Sequence, residues 1–392
     1  MRTGQPIYFD YQASTPVDPA VLREMLPYFT DSAANPHSAD HAAGWAAEAA
    51  VQTARNKISK LIGCDSDEII FTSGATESNN LAIIGLRKLL SASGRRKIVT
   101  SSVEHKSVLA ACLAMTDEFG ADTTVCKIDG DGNLDLASLN ELLSAPALLL
   151  TIGGVNSETG GIRDIERISA IALRHGVLVH IDAAQMPQAC DISTLARHAD
   201  MVSLSGHKMY GPKGVGCLYV RRGLQADLVP LIFGGGQQNG LRSGTVPVPL
   251  CVGMGVAAEL APQPNERDTL RVKTSKLWDG LRSFDDRLSL NGPALCERHP
   301  GNLNVRFAGI DASDLIAALQ PHLAVSTGSA CTSGTPEASY VLRGIGLSEE
   351  EARSSIRFSL GRFTTDEEIQ RTVELVEAGL RQLENCGIRK RA

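Results

Sequence analysis

The sequence predicts an α/β protein with a large, mainly parallel sheet and a smaller α+β domain, and three observations carry that prediction. Short apolar runs alternate with helical stretches through the first two thirds of the 392 residues. A charged segment with two prolines, "APQPNERD", breaks the alternation near residue 262. Beyond it, strands and helices mix in shorter units, the texture of a smaller domain.

In chain order, "EIIFTS" leads into "ESNNLAIIGLRKLL", "KIVTSS" into "HKSVLAACLAM", and "ALLLTIGGV" into "DIERISAIALRHG", with "VLVHIDAA" following. Each apolar run is a strand and each periodic stretch a helical crossover, as parallel pairing requires. The runs "DMVSLSG" and "GVGCLYV" lie close enough together for a local reversal. After the break come a connecting helix, "TLRVKTSKLWDGLRS", then "NLNVRFAG", "DASDLIAALQ", "SSIRFSLG" and a final helix, "DEEIQRTVELVEAGLRQLEN".

Composition narrows the function classes. The chain is 43% hydrophobic, 4% aromatic and 21% charged, with a formal net charge of -6, so it lacks the broad basic surface of a direct nucleic-acid binder. No apolar run reaches the ~20 residues of a membrane span, and "PIYFDY" does not resemble a signal segment, so the expected location is cytoplasmic with no membrane partner. Nine cysteines occur without a C-x-x-C pair or zinc-type histidine spacing, so neither a disulfide framework nor a metal site is expected. Most have apolar neighbours and are read as core. Cys331 differs, lying in "STGSACTSG" among small polar residues with nothing to bury.

In open α/β sheets chemistry gathers beyond the carboxyl ends of the strands, and three such turns are rich in polar residues. "FTSGATESNN" brings a small hydroxyl-bearing turn to a helix start, which suits either a phosphate or an ordinary cap by Ser73 or Thr76. Asp182 ends the apolar run of "VLVHIDAAQ", as a helix cap, an arginine partner or a carboxylate for a protonated ring nitrogen. Lys208 follows the next run in "SLSGHKMYGPKG", where a desolvated amine would be a good nucleophile toward an aldehyde. Phosphate turn, acid and lysine together describe one cofactor, pyridoxal 5'-phosphate.

The set "TSGATESNN", "EHKSV", "HIDAAQ", "SGHKMYGPKG", "RSGTVP", "GSACTSG" and "SIRFSLGRF" resembles the pyridoxal phosphate-dependent cysteine desulfurases of the nitrogen-fixation and iron–sulfur-assembly type, within the class V aminotransferase family. The likeness runs from Tyr8 to about Glu377. It implies a fold type I transferase, with residues 14–262 as the cofactor-binding domain and 1–13 and 263–392 as the small domain carrying the cysteine loop. It further implies that Lys208 holds the cofactor and moves protons, that His105 stacks on its ring and assists, that Asp182 pairs with the ring nitrogen, and that Gln185 reaches the phenolic oxygen. Ala75, Thr76, Ser205 and His207 would bind the phosphate, joined by Thr245 from a second subunit, hence a homodimer. Arg357 would clamp the substrate carboxylate, with Asn35, Asn156 and Ser157 nearby.

The implied reaction converts L-cysteine to L-alanine, leaving the sulfur on Cys331 as a persulfide for an acceptor protein. Other fold type I aminotransferases or lyases, a selenocysteine lyase and a non-enzymatic thiol carrier are the competing expectations. Ser157 departs from the resemblance, since the family usually has a second asparagine there, and serine has one donor where asparagine has two.

Overall fold

In a computed structural model that describes residues 6–327 and 338–387, the chain builds one large sheet and two small ones. The strands are β1 (Ile7–Tyr8), β2 (Ile69–Thr72), β3 (Lys97–Ser101), β4 (Asp122–Cys126), β5 (Ala147–Gly153), β6 (Leu178–Asp182), β7 (Met201–Ser205), β8 (Gly216–Val220), β9 (Ser289–Leu290), β10 (Asn302–Arg306), β11 (Leu323–Ala324) and β12 (Ser355–Ser359). The large sheet runs β2-β8-β7-β6-β5-β3-β4. Only β8 is antiparallel to its neighbours, β2 and β7, which is the reversal expected from the short link between "DMVSLSG" and "GVGCLYV".

Alternate strand residues enter two separate cores. Ile69 and Phe71 of β2 and Val202 and Leu204 of β7 join one, while Ile70 and Met201 join the other. A sheet covered on both faces buries its strands completely, which is why these segments read as continuous apolar runs. A third core gathers Phe9 with Leu277, Leu303, Phe307, Phe358 and Val376 around the sheet β12-β10-β9. The chain start is tied to it by β1, which pairs in parallel with β11, and by a bridge from Asp10 to Ser359.

Three details differ from the sequence reading. The strand β4 was not foreseen, because an edge strand with three polar residues and an exposed Val125 shows no apolar run. The stretch "ESNNLAIIGLRKLL" forms two helices, Ala75–Ile84 and Arg87–Ser93, split where the Gly85 carbonyl accepts from Val229 N at 2.9 Å. Among the cysteines, 112, 126, 217 and 251 are buried, but Cys64 and Cys190 are half-buried and Cys296 and Cys386 exposed. The last two lie in a turn and at a helix end, where local apolar neighbours do not ensure burial. No helix of the described residues is long and apolar enough to cross a membrane, and no His, Cys, Asp or Glu group among them could hold a metal ion. Cys331 lies outside the described residues.

Candidate active site

The carboxyl ends of β6 and β7 lie side by side, with Asp182 in register with Ser203. Asp182 is buried, and its two oxygens are satisfied from different elements: Asn79 Nδ2 donates to one at 2.8 Å and the Ala184 amide to the other at 3.0 Å. Asn79 projects from the helix Ala75–Ile84, and the same nitrogen donates to Ser107 Oγ at 2.9 Å. Ser107 in turn meets His105 Nδ1, through its hydroxyl at 2.7 Å and its amide at 3.1 Å. With Nδ1 accepting, the neutral His105 ring carries its proton on Nε2. One buried asparagine thus joins the acid of β6 to the histidine that opens the helix Lys106–Phe119. Sequence reasoning passed over Asn79 and Ser107; the only signal was their place inside "TESNN" and "EHKSV".

His180 lies two residues before Asp182, on the same face of β6. It is held between Thr151 Oγ1 at 2.8 Å and Ser203 Oγ at 2.9 Å. Burial pushes its imidazole down to about 4 against the opposing pull of Asp182, so it is a neutral strut.

Lys208 closes the short turn Gly206–Lys208 after β7. Its Nζ donates to the carbonyls of Gln12 at 2.5 Å and Ala13 at 2.9 Å. Gln185 Nε2 donates to the same Gln12 carbonyl at 2.9 Å. The segment Asp10–Thr15, absent from the sequence-based site, therefore gathers the lysine and Gln185. Neighbouring His207 meets Ser14 Oγ at 3.3 Å, and burial, then Lys208 and Lys213, lower its imidazole to about 4.

The helix Ala75–Ile84 begins without a side-chain cap. Its N-cap is Gly74, at φ 155°, and Ser73 spends its amide on Glu77 Oε2 at 2.8 Å. The cap by Ser73 or Thr76 considered from sequence is not formed, and the first-turn amides of Ala75 and Thr76 open onto an exposed turn. Ser205 Oγ faces this turn, 3.9 Å from where a Cβ on Gly74 would stand. Gly216 on β8 permits the approach, because its own Cβ would fall 2.6 Å from Gly74 Cα. Thr245 is exposed, and no hydrogen bond among the described residues ties it to this turn.

Arg357 is buried in β12, so it is not an exposed strand arginine. Its Nη2 pairs with Asp10 Oδ1 at 2.7 Å and its Nη1 donates to the Ser157 carbonyl at 2.8 Å, while Nε is buried without a partner among the described residues. Ser157 thus meets Arg357 through its backbone. Asn156 spends its side-chain amide on neighbouring backbone, donating to Val103 O after β3 at 3.1 Å and accepting from the amides of Glu158 and Thr159 in its own loop at 2.9 and 3.0 Å. Asn35 is exposed and accepts from His37 N at 3.0 Å, with no bond to Lys208 or Arg357. Buried Glu158 accepts from Ser339 Oγ at 2.5 Å, and desolvation holds its carboxyl above the ordinary range.

The donor set suits pyridoxal phosphate. An amine and a carboxylate stand at adjacent strand ends, an uncapped helix start with a facing serine and a glycine-dependent approach makes a phosphate cradle, and a histidine ring is exposed beside them.

Comparison with known proteins supports the same reading. Residues 7–372 match the family model of class-V aminotransferases. The chain is 48% identical over 375 residues, 95% of its length and 90% of the relative's, to the cysteine desulfurase IscS of Rickettsia rickettsii. A solved NifS-like protein superposes with a TM-score of 0.89 at 33% identity, covering 97% of this chain and all of that one. SspA in complex with cysteine superposes with a TM-score of 0.80 at 40% identity, covering 91% and 99%.

Proposed function

The chain belongs to the class-V aminotransferase family and is a pyridoxal phosphate-dependent cysteine desulfurase; we propose that Lys208, Asp182, His105 and Cys331 carry its conversion of L-cysteine to L-alanine. The observation that carries the proposal is the placement of Lys208 in the turn after β7 and of Asp182 at the end of neighbouring β6, where Asn79 ties Asp182 to the helix that starts uncapped. Lys208, Asp182, His105 and Gln185 hold the cofactor's ring side. Ala75, Thr76, Ser205 and His207 hold its phosphate, together with Thr245 of a second copy in a homodimer. When bound, the cofactor draws electron density from the substrate's Cα and so acidifies its proton.

The chain's own residues do the rest. The Gln12 and Ala13 carbonyls position Lys208 Nζ, the base that takes the Cα proton. Asn79 fixes the rotamer of Asp182 and supplies a donor for a carboxylate that burial would otherwise penalise. Arg357 directs the substrate carboxylate, and Asp10 and the Ser157 carbonyl hold its fork in plane. The Cys331 thiolate attacks the substrate sulfur, an S–S bond forms as the Cβ–S bond breaks, the electron pair left on Cβ is protonated, and Lys208 returns a proton to Cα to give alanine. An ordinary cysteine, with a pKa of about 8.5, must first lose its proton, and His105 is the proposed acceptor. The persulfide then passes to an acceptor protein.

The test is Cys331→Ala. The variant keeps the visible absorbance of the lysine-bound cofactor but makes no alanine from cysteine. Sustained alanine production would remove Cys331 from the mechanism.

A further inference from the structure

The helix Pro264–Arg282, the short helix Met186–Ala189 and the turn after β12 meet around a cavity of about 210 Å³. It holds none of the residues assigned to the cofactor or the substrate. Its lining includes Gln188, Arg267, Leu270, Lys273, Gly361 and Arg362, and its outer rim, at Asn265 and Thr269, is exposed.

Three cations and one acid, Glu266, surround this space, and most of them are engaged. Glu266 accepts from the Gln263 amide at 2.8 Å, Lys273 donates to the Thr364 carbonyl at 2.5 Å, and Arg362 pairs with Asp18 at 2.7 Å. Arg267 is different. Its guanidinium is half-buried and has neither a hydrogen bond nor an ion pair among the described residues, and its Nε is sealed from solvent. The carboxyl that feels it, Asp191, is held low mainly by hydrogen bonds from Ser193 and only last by Arg267. Gln188, which also lines the cavity, has its Nε2 likewise sealed and without an acceptor. Half-buried charge without a counterion is unfavourable, and enclosed N–H groups without an acceptor each lose a hydrogen bond they had in water.

We infer that this cavity binds a small oxyanion, carboxylate or phosphate in type, with Arg267 as its main partner. An oxyanion in the cavity supplies the counterion that the Arg267 guanidinium lacks, and planar or tetrahedral oxygens suit its fork. The space, about 210 Å³, has room for an inorganic phosphate or a short dicarboxylate. The cavity also backs onto the lysine turn. The Arg362 guanidinium stacks 4.6 Å from the Tyr210 ring centroid, and the Arg362 amide donates to Tyr210 Oη at 2.6 Å.

The test is calorimetric titration of the cofactor-loaded enzyme with inorganic phosphate and, separately, with succinate, at constant ionic strength. Saturable binding of either probe is expected, and the probe that binds identifies the oxyanion type. Arg267→Gln should weaken that binding at least tenfold, and Leu270→Trp, which fills the space without altering charge, should abolish it. Both variants should keep the cofactor absorbance, since neither position belongs to the catalytic assignment. Absence of saturable binding, or binding that Arg267→Gln leaves unchanged, would overturn the inference, whatever becomes of the desulfurase reading.

Discussion

The two sides of the proposed active site are built differently. On the cofactor side, the part around Asp182 is pre-organised within one sheet, since Asp182, Asn79, Ser107 and His105 form a continuous chain of hydrogen bonds from elements packed on the same strands. The substrate side is assembled at a junction, where Arg357 from β12, Asp10 from the chain start and the Ser157 carbonyl from the loop after β5 come from three parts of the sequence. The first arrangement is as rigid as the sheet. The second persists only while the third core stays docked against the large one, so changes on the two sides should produce different symptoms.

The largest effect is expected at the junction. Arg357→Lys keeps the charge but loses the fork, so kcat/KM for cysteine should fall roughly 10- to 150-fold, matching about 1.5–3 kcal/mol for hydrogen bonds to a charged group. Most of the loss should appear in KM, with cofactor absorbance intact. An unchanged KM would show that this guanidinium serves only Asp10 and the Ser157 carbonyl.

Asn79→Leu tests the other side. Removing the donor leaves a buried carboxylate short of a partner, which costs about 1–3 kcal/mol in urea unfolding and should loosen the cofactor with it. If the variant held both stability and cofactor at native levels, the hydrogen-bond chain would be incidental.

Each side also contains one fully buried histidine lowered to about 4, His180 in β6 and His299 at the junction, in both cases chiefly by burial. Their folded pKa lies below the unfolded value near 6.5, so the unfolded chain binds more protons between those limits. Their contribution is complete above pH 6.5 and is lost as pH falls toward 4, by about 1.4 kcal/mol per unit for each group. Glu158, raised by burial, works in the opposite sense, adding stability that fades as pH rises. The urea midpoint should therefore drop from pH 7 to pH 5. His180→Asn should flatten part of that slope, and a midpoint that stays level in the parent protein would refute the sign.

The smallest effect is expected from Ser157→Asn. The backbone carbonyl that meets Arg357 is kept and an amide donor is added beside it, so KM for cysteine should fall by roughly two- to tenfold, the worth of one hydrogen bond of about 0.5–1.5 kcal/mol. A raised KM would mean that the shorter side chain is the better fit.

Much of this was legible in the chain itself. Buried strands read as apolar runs because both faces of the sheet are covered, and an acid or a lysine directly after such a run stands out because burial there is costly. Asp182 and Lys208 stand out for that reason. What only the tertiary structure decided are the partners. Arg357 and Asp10 meet across 347 positions and Asn79 and Asp182 across 103, distances at which no local period carries information. The uncapped start of the helix Ala75–Ile84 and the polar edge strand β4 likewise follow from what packs against them. Local composition determines which segments must be buried, and only the docking of distant segments determines which donor each buried acceptor finds.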